Sequence, residues 1–343
     1  MEESFNIFKI LEKDDKELIH SSFLRFLLTE NNIFYEKMLG IKNTEFNLPI
    51  LEQPYTIPKK GGEKKSKRKR IDIEIRSKDQ KQIIVIENKF KSFPYKEQLI
   101  SYDEIYRDKH KGKIIHKFLF CFDKSLISFE TDWKKFDYQD LLSFVKENYF
   151  DNVNPEKKLF INHYYEFLTE YYSKYKLVNI NSKELFLNSS DAKNKFWIGL
   201  IYSSLHLSLE KFFEDNKISV KIEVNRGTKE SLINIIPNHW KISGKELLIQ
   251  FQGNDMKFYT HSDDKSFLKI FIQKSRENLP DEKIELKRIT KSNSGTNYIF
   301  KIKLTDKIED DKKFDLKTIT HVVLDLYRLI DDKLINNKEK YLN

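Results

Sequence analysis

The period of the hydrophobic positions changes several times along the chain. Over residues 5–30, Ile19, Phe23, Phe26 and Leu27 recur at helical spacing, with Leu18, Leu24 and Leu28 filling other sides. A largely buried helix is predicted there. Residues 31–50 read as a second short helix and a connection. Residues 70–76 switch to period two, with Ile71, Ile73 and Ile75 alternating with Asp72, Glu74 and Arg76. After a turn comes the unbroken run Ile83-Ile84-Val85-Ile86, which suits a strand covered on both faces. A helix over 95–107, a strand over 115–122 and amphipathic helices over 137–148 and 158–175 follow. Helix, hairpin, helix, strand, helices describes a mixed α/β unit, expected over residues 1–178.

The polar stretch at 178–194 reads as a linker. Beyond it, a helix over 192–215 precedes alternating strands at 218–224, 232–236, 246–252, 255–260, 283–288 and 297–304, with a helix at 264–277 among them. A final helix over 315–337 carries Ile319, Val322, Val323, Leu326, Ile330 and Leu334 on one stripe, which suits core more than contact. Residues 179–343 therefore read as an α+β domain with a mostly antiparallel sheet, available for recognition, homodimerisation or a partner in a defence complex.

Composition narrows the class. The 343 residues are 39% hydrophobic and 34% charged, enough for two cored domains. No apolar run reaches the length of a membrane span. Met1-Glu2-Glu3-Ser4 lacks the basic and apolar regions of a signal peptide. The single cysteine, Cys121, sits in Phe118-Leu119-Phe120-Cys121-Phe122 and fits a small core residue in a reducing cytoplasm. The net charge of +9 is local: residues 59–70 hold eight basic and one acidic residue, and the rest of the chain is nearly balanced. Such a cluster attracts phosphate. Residues 59–69 read as a mobile charged loop with Gly61-Gly62 at its tip, leading into Arg70 and Asp72. Lys64, Lys65, Lys67, Arg68, Lys69 and Arg70 are thus candidate, sequence-independent nucleic-acid contacts.

The apolar strand ends in Glu87-Asn88-Lys89, and charges closing a buried strand need partners or a cation. Glu87 and Lys89 point to one face. A two-residue turn at Asp79-Gln80 sets Asp72 across from Glu87, whereas a one-residue slip puts it on the other face. Two carboxylates and the Asn88 main-chain carbonyl are an all-oxygen set suited to Mg²⁺, with Mn²⁺ as a substitute. A lysine beside metal-bound water can position it and offset charge building on phosphorus. The same residues also suit a solvated strand face with a Glu87–Lys89 ion pair, Glu17 suits an acid favoured by the helix dipole, and His20 suits a buried hydrogen-bonded histidine. No Walker loop, Gly-x-Ser-x-Gly elbow or Cys-x-x-Cys is present.

Asp72, followed by Glu87-Asn88-Lys89 closing an apolar strand, resembles the PD-(D/E)XK nuclease superfamily. Glu17-Leu18-Ile19-His20-Ser21-Ser22-Phe23-Leu24 is similar to the Glu-x-x-His-Ser-x-x-Leu helix of one bacterial branch, as are Arg70-Ile71-Asp72 and Gln98-Leu99-x-x-Tyr102 to later steps of it. The resemblance covers about residues 5–172, and Ile71 stands where the family often has proline. It implies a restriction-endonuclease-like core and a Mg²⁺-dependent phosphodiesterase, acting on DNA and serving in defence against foreign DNA. Asp72 and Glu87 would be metal ligands, Lys89 would handle the attacking water, Glu17 would be a further carboxylate, and Gln98 would steer the lysine or a phosphate. His20 and Tyr102 are lesser candidates. An RNase, and a non-catalytic nucleic-acid-binding module on the same fold, remain alternatives.

Overall fold

The computed structural model of the chain describes residues 5–10, 17–30, 32–42, 44–57, 67–149, 154–191, 194–225, 231–260, 262, 264–279, 284–286, 298–309 and 312–336. It divides into two compact units, Met1–Tyr172 and Ser173–Asn343.

In the first unit, helices α1 (Ile7–Ile10) and α2 (Glu17–Glu30) precede strands β1 (Ile50–Ile57), β2 (Lys67–Arg76) and β3 (Gln82–Lys89). Then come α3 (Lys96–Lys109), β4 (Ile114–Cys121), β5 (Lys134–Asp137), α4 (Tyr138–Asn148) and α5 (Pro155–Ile180), which continues into the second unit. The five strands lie in sequence order. β1, β2 and β3 are antiparallel neighbours, and β3, β4 and β5 are parallel ones. The centre falls on β3, and Ile83, Ile84, Val85 and Ile86 are all at 0% exposure, as an unbroken apolar run requires.

Strand alternation assigns the two faces. Leu99, Tyr102, Ile105 and Tyr106 of α3 form one core cluster with Ile83, Val85 and Leu119. Glu87 and Lys89 continue that row. The opposite row ends in Asn88, which meets Ser21 of α2 and Tyr138 of α4. On that side Tyr164 of α5 stacks on Phe23 of α2 at 3.6 Å. β3 therefore ends between two helical layers.

Several local expectations change. The basic run is strand rather than loop from Lys67 onward: Lys67, Arg68, Lys69 and Arg70 pair with Ile57, Thr56, Tyr55 and Pro54. Gly61, Gly62, Lys64 and Lys65 lie outside the described residues. β1 itself lies almost wholly in residues to which the sequence pattern assigns no element. Its Pro54 hides the strand in the sequence, yet is compatible with an edge position, where a missing N–H leaves no ladder bond unmade. The stretch read as a linker contains the end of α5 and helix α6 (Lys183–Leu187).

The second unit carries α7 (Lys195–Asp215), β6 (Val220–Asn225), β7 (Leu232–Pro237), β8 (Lys241–Ile242), β9 (Lys245–Gln252), β10 (Asp255–Thr260), α8 (Lys265–Asn278), β11 (Glu285–Leu286), β12 (Tyr298–Lys303), α9 (Leu304–Lys307) and α10 (Leu316–Ile330). Its sheet runs β11-β12-β10-β9-β7-β6, with β8 added on β9, and every pairing is antiparallel. Ile319, Val323, Leu326 and Ile330 of α10 are buried, and Tyr327 stacks on Trp240 at 5.4 Å. The stripe on this helix is core. Among the described residues no helix is long and apolar enough to cross a membrane.

Candidate active site

β2 pairs with β3 as Ile73 with Ile86, Glu74 with Val85, Ile75 with Ile84 and Arg76 with Ile83. Continued by one step, this register sets Asp72 across from Glu87. The connection is wider than a two-residue turn: the Ser77 N–H donates to the Gln82 carbonyl at 2.9 Å, and Gln80 adopts φ 61°. The loop widens by one residue on each strand, so the register is the same. Beyond Ile73 the ladder gives way to a side-chain contact, in which the Asn88 N–H donates to Asp72 Oδ2 at 2.7 Å.

Glu87 is at 1% exposure. Its Oε1 lies 2.7 Å from Lys89 Nζ and accepts from Gln98 Nε2 at 2.6 Å. Gln98 Nε2 also donates to the Tyr102 hydroxyl at 2.8 Å, and Tyr102 donates to the Arg70 carbonyl at 2.8 Å. One face of α3 thus holds both the Glu87 carboxyl and the Arg70 carbonyl of β2. Glu87 Oε2, also buried, meets no donor among the described residues, and the Asp72 carboxyl is its acidic neighbour. Glu17, in the first turn of α2, reaches the same place: its Oε2 stands 3.9 Å from Lys89 Nζ, and its Oε1 accepts from the backbone and hydroxyl of Ser92.

Burial raises the Glu87 carboxyl to about 8; the Asp72 charge pushes the same way and Lys89 pulls against both. Burial also raises Asp72, against the pull of Lys89 and of the Asn88 N–H. Burial works against the Lys89 charge, but Glu87, Asp72 and Glu17 outweigh it and hold the ammonium well above its usual range. The site therefore contains a fixed cation, Lys89, and a carboxyl pair that keeps a proton near neutrality. Once that proton leaves, the half-buried Asp72 and the buried Glu87 are neighbouring carboxylates, and Glu87 Oε2 has no donor among the described residues. A divalent cation between Asp72 and Glu87 would supply the missing partner, so these residues fit a hard oxygen-ligated ion. Among the described residues no group of three or more His, Cys, Asp or Glu side chains forms a metal cluster. Glu17 approaches through Lys89 rather than as a third member of the carboxylate pair.

His20 is fully buried, 2.7 Å from the Tyr164 hydroxyl through Nδ1 and stacked on Phe90 at 3.6 Å. It sits behind the sheet, away from the Glu87 face. Glu74, on the same strand face as Asp72, is fully buried and accepts from Tyr55, from Tyr106 at 2.5 Å and from Arg76 Nε at 2.8 Å. Arg68 and Arg70 are exposed and Lys69 is half-buried. Sequence reasoning missed Ser92 and Tyr138. Ser92 stands three residues past Lys89, in a loop without periodicity, and Tyr138 is one aromatic among many on a helix face.

An acid on each strand of a central hairpin, with a lysine two positions past the second, is the arrangement of a restriction-endonuclease-like core. Residues 5–166 match the family model of the PD-(D/E)XK nuclease superfamily. Its members are generally phosphodiester-cleaving nucleases that use divalent metals. No curated protein and no solved structure matches the chain.

Proposed function

We infer that the chain is a Mg²⁺-dependent nuclease hydrolysing phosphodiester bonds in DNA. The observation that carries this reading is the buried Glu87 Oε2, which meets no donor among the described residues, beside Asp72 and a charged Lys89. Asp72, Glu87 and the Asn88 main-chain carbonyl would hold the ion, which supplies Lewis acidity toward a phosphate oxygen and lowers the pKa of bound water. Lys89 acts as a cation and donor. It orients the attacking water and offsets negative charge building on the phosphorus oxygens, and its raised proton affinity argues against a role as general base. Gln98 fixes Glu87 Oε1, so that Oε2 faces the ion site. Glu17 adds negative charge beside Lys89 and helps keep it protonated.

Arg68, Lys69 and Arg70 bring positive charge along β2 up to Asp72, and phosphate contact there is independent of sequence. DNA is the substrate implied by the family resemblance. The test is incubation of plasmid, linear duplex, single-stranded DNA and RNA with protein and Mg²⁺, alongside Asp72→Ala and Lys89→Ala. Cleavage of DNA lost in both variants is the expected result. Cleavage confined to RNA moves the substrate class, and binding without cleavage under any metal favours a non-catalytic module.

A further inference from the structure

Asn88 stands between Glu87 and Lys89, yet its side chain leaves by the other face of the sheet, and it is fully buried there. Its Nδ2 donates to Ser21 Oγ at 3.0 Å and to the Glu17 carbonyl at 3.5 Å. Its Oδ1 accepts from the Tyr138 hydroxyl at 2.6 Å. In the same buried layer the Tyr164 hydroxyl meets His20 Nδ1 at 2.7 Å, and the His20 and Tyr138 rings lie 5.7 Å apart edge to face. The five side chains come from α2, β3, α4 and α5, and all are at 2% exposure or less.

The partners of Asn88 fix the orientation of its amide. The Glu17 carbonyl can only accept, so the Asn88 amide group faces α2 and its oxygen faces Tyr138. Tyr138 gives its single proton to that oxygen. A network satisfied at each step in a dry interior has one arrangement, and leaving any member unpaired is costly.

The geometry assigns Asn88 as a positioning residue, which holds the first turn of α2 against the end of β3 and thereby sets the Glu17 carboxylate beside Lys89. This rests on the nuclease reading above. The same amide that follows Glu87 in the chain binds the backbone of Glu17, so the strand end and the helix start move as one piece. Glu17 Oε2 is 3.9 Å from Lys89 Nζ, beyond a direct hydrogen bond. Its effect on the lysine therefore depends on where the helix is held. His20 and Ser21 belong to this brace rather than to the reacting face.

The test is a double-mutant cycle on Mg²⁺-dependent cleavage of duplex DNA, using Asn88→Ala, Glu17→Gln and both together, with folding checked by thermal melting. Misplacement of a charged group by about 1 Å is expected to cost on the order of 10–100-fold in kcat. Asn88→Ala should therefore lower kcat by that order and leave KM within about threefold. In the Glu17→Gln background it should cost no more than about threefold further, because the group it positions is already gone. Tyr138→Phe, which removes one hydroxyl, gives the same cycle with a smaller first loss, and it decides the matter if Asn88→Ala does not fold. Losses that multiply across the cycle, a change in KM alone, or wild-type kcat in folded Asn88→Ala overturn the assignment. If wild-type protein shows no Lys89-dependent cleavage, the nuclease reading fails and this role with it. Lys89-dependent cleavage with multiplying losses removes the positioning role alone.

Discussion

Lys89 Nζ lies 2.7 Å from Glu87 Oε1, with the lysine side chain at 11% exposure and the glutamate at 1%. A buried pair of this kind is weak evidence for stability, because desolvation offsets most of its attraction. Its value lies in holding a cation next to an acid that a metal can occupy. Lys89→Met should lower cleavage by at least ~100-fold, the size of losing one preorganised charge at the reacting centre. It should shift the melting temperature by only a few degrees near pH 6, since Glu87 then stays protonated and no bare charge is left buried. Melting curves and cleavage rates of the same preparation check this. A large destabilisation with retained activity per folded molecule contradicts it.

Metal-free stability should depend on pH through Glu87. Its carboxyl is raised in the folded protein to about 8 from an ordinary 4.5. Between those values the folded state holds a proton that the unfolded state has released. Stability therefore falls as pH rises across that window, is free of this cost below it, and carries the full cost above it. Urea unfolding in EDTA at several pH values, for wild type and Glu87→Gln, isolates the contribution. The wild-type curve should drop more steeply with rising pH than the variant's.

Added Mg²⁺ should reverse that loss. At about 100 times the dissociation constant a ligand specific to the folded state adds about 2.7 kcal/mol. The stabilisation should grow with pH, because the ion replaces the proton shared by Asp72 and Glu87, and should be absent in Glu87→Gln. Calorimetric melting with and without the ion measures it.

Glu74 gives the contrasting case. It is as buried as Glu87, but its oxygens accept from Tyr55, Tyr106 and Arg76. Glu74→Gln should destabilise by roughly 1–3 kcal/mol through a mismatched donor in that network. Cleavage per folded molecule should stay unchanged. Equal loss of Mg²⁺ response in Glu74→Gln and Glu87→Gln would place Glu74 in the ion site instead.

Replacing Arg68, Lys69 and Arg70 by alanine should weaken duplex binding evenly across sequences. With three phosphate contacts removed, the slope of log affinity against log salt should flatten by about 3. A salt titration by fluorescence anisotropy reads this. An unchanged slope removes β2 from the binding surface.

Much of this arrangement was legible in the sequence where period and chemistry agreed. The run Ile83–Ile86 announced a central strand, and parity along β2 and β3 placed Asp72 opposite Glu87 whether the loop holds two residues or four. β1 was hidden because Pro54 and its polar neighbours mask an edge strand, and β5 because four residues carry too little pattern. The strand character of Lys67–Arg70 was masked by charge, since like charges in a row read as solvated loop until pairing with β1 is known. The burial of Glu74 was not legible for a different reason: alternation gives the face of a residue but not what covers it, and Tyr106 of α3 covers this one. The brace through Asn88, Tyr138 and Tyr164 joins residues far apart in the chain, so no local spacing reveals it.

The central claim is that Glu87 and Asp72 hold a divalent ion that drives phosphodiester cleavage. The most direct measurement is the initial rate of duplex DNA cleavage against Mg²⁺ concentration for wild type and Glu87→Gln, with EDTA as the zero point. The expected result is a rate that saturates with Mg²⁺ in the wild type, falls to background in EDTA, and drops by at least ~100-fold in Glu87→Gln. Cleavage that persists in EDTA, or that is equal in the variant, would contradict the claim.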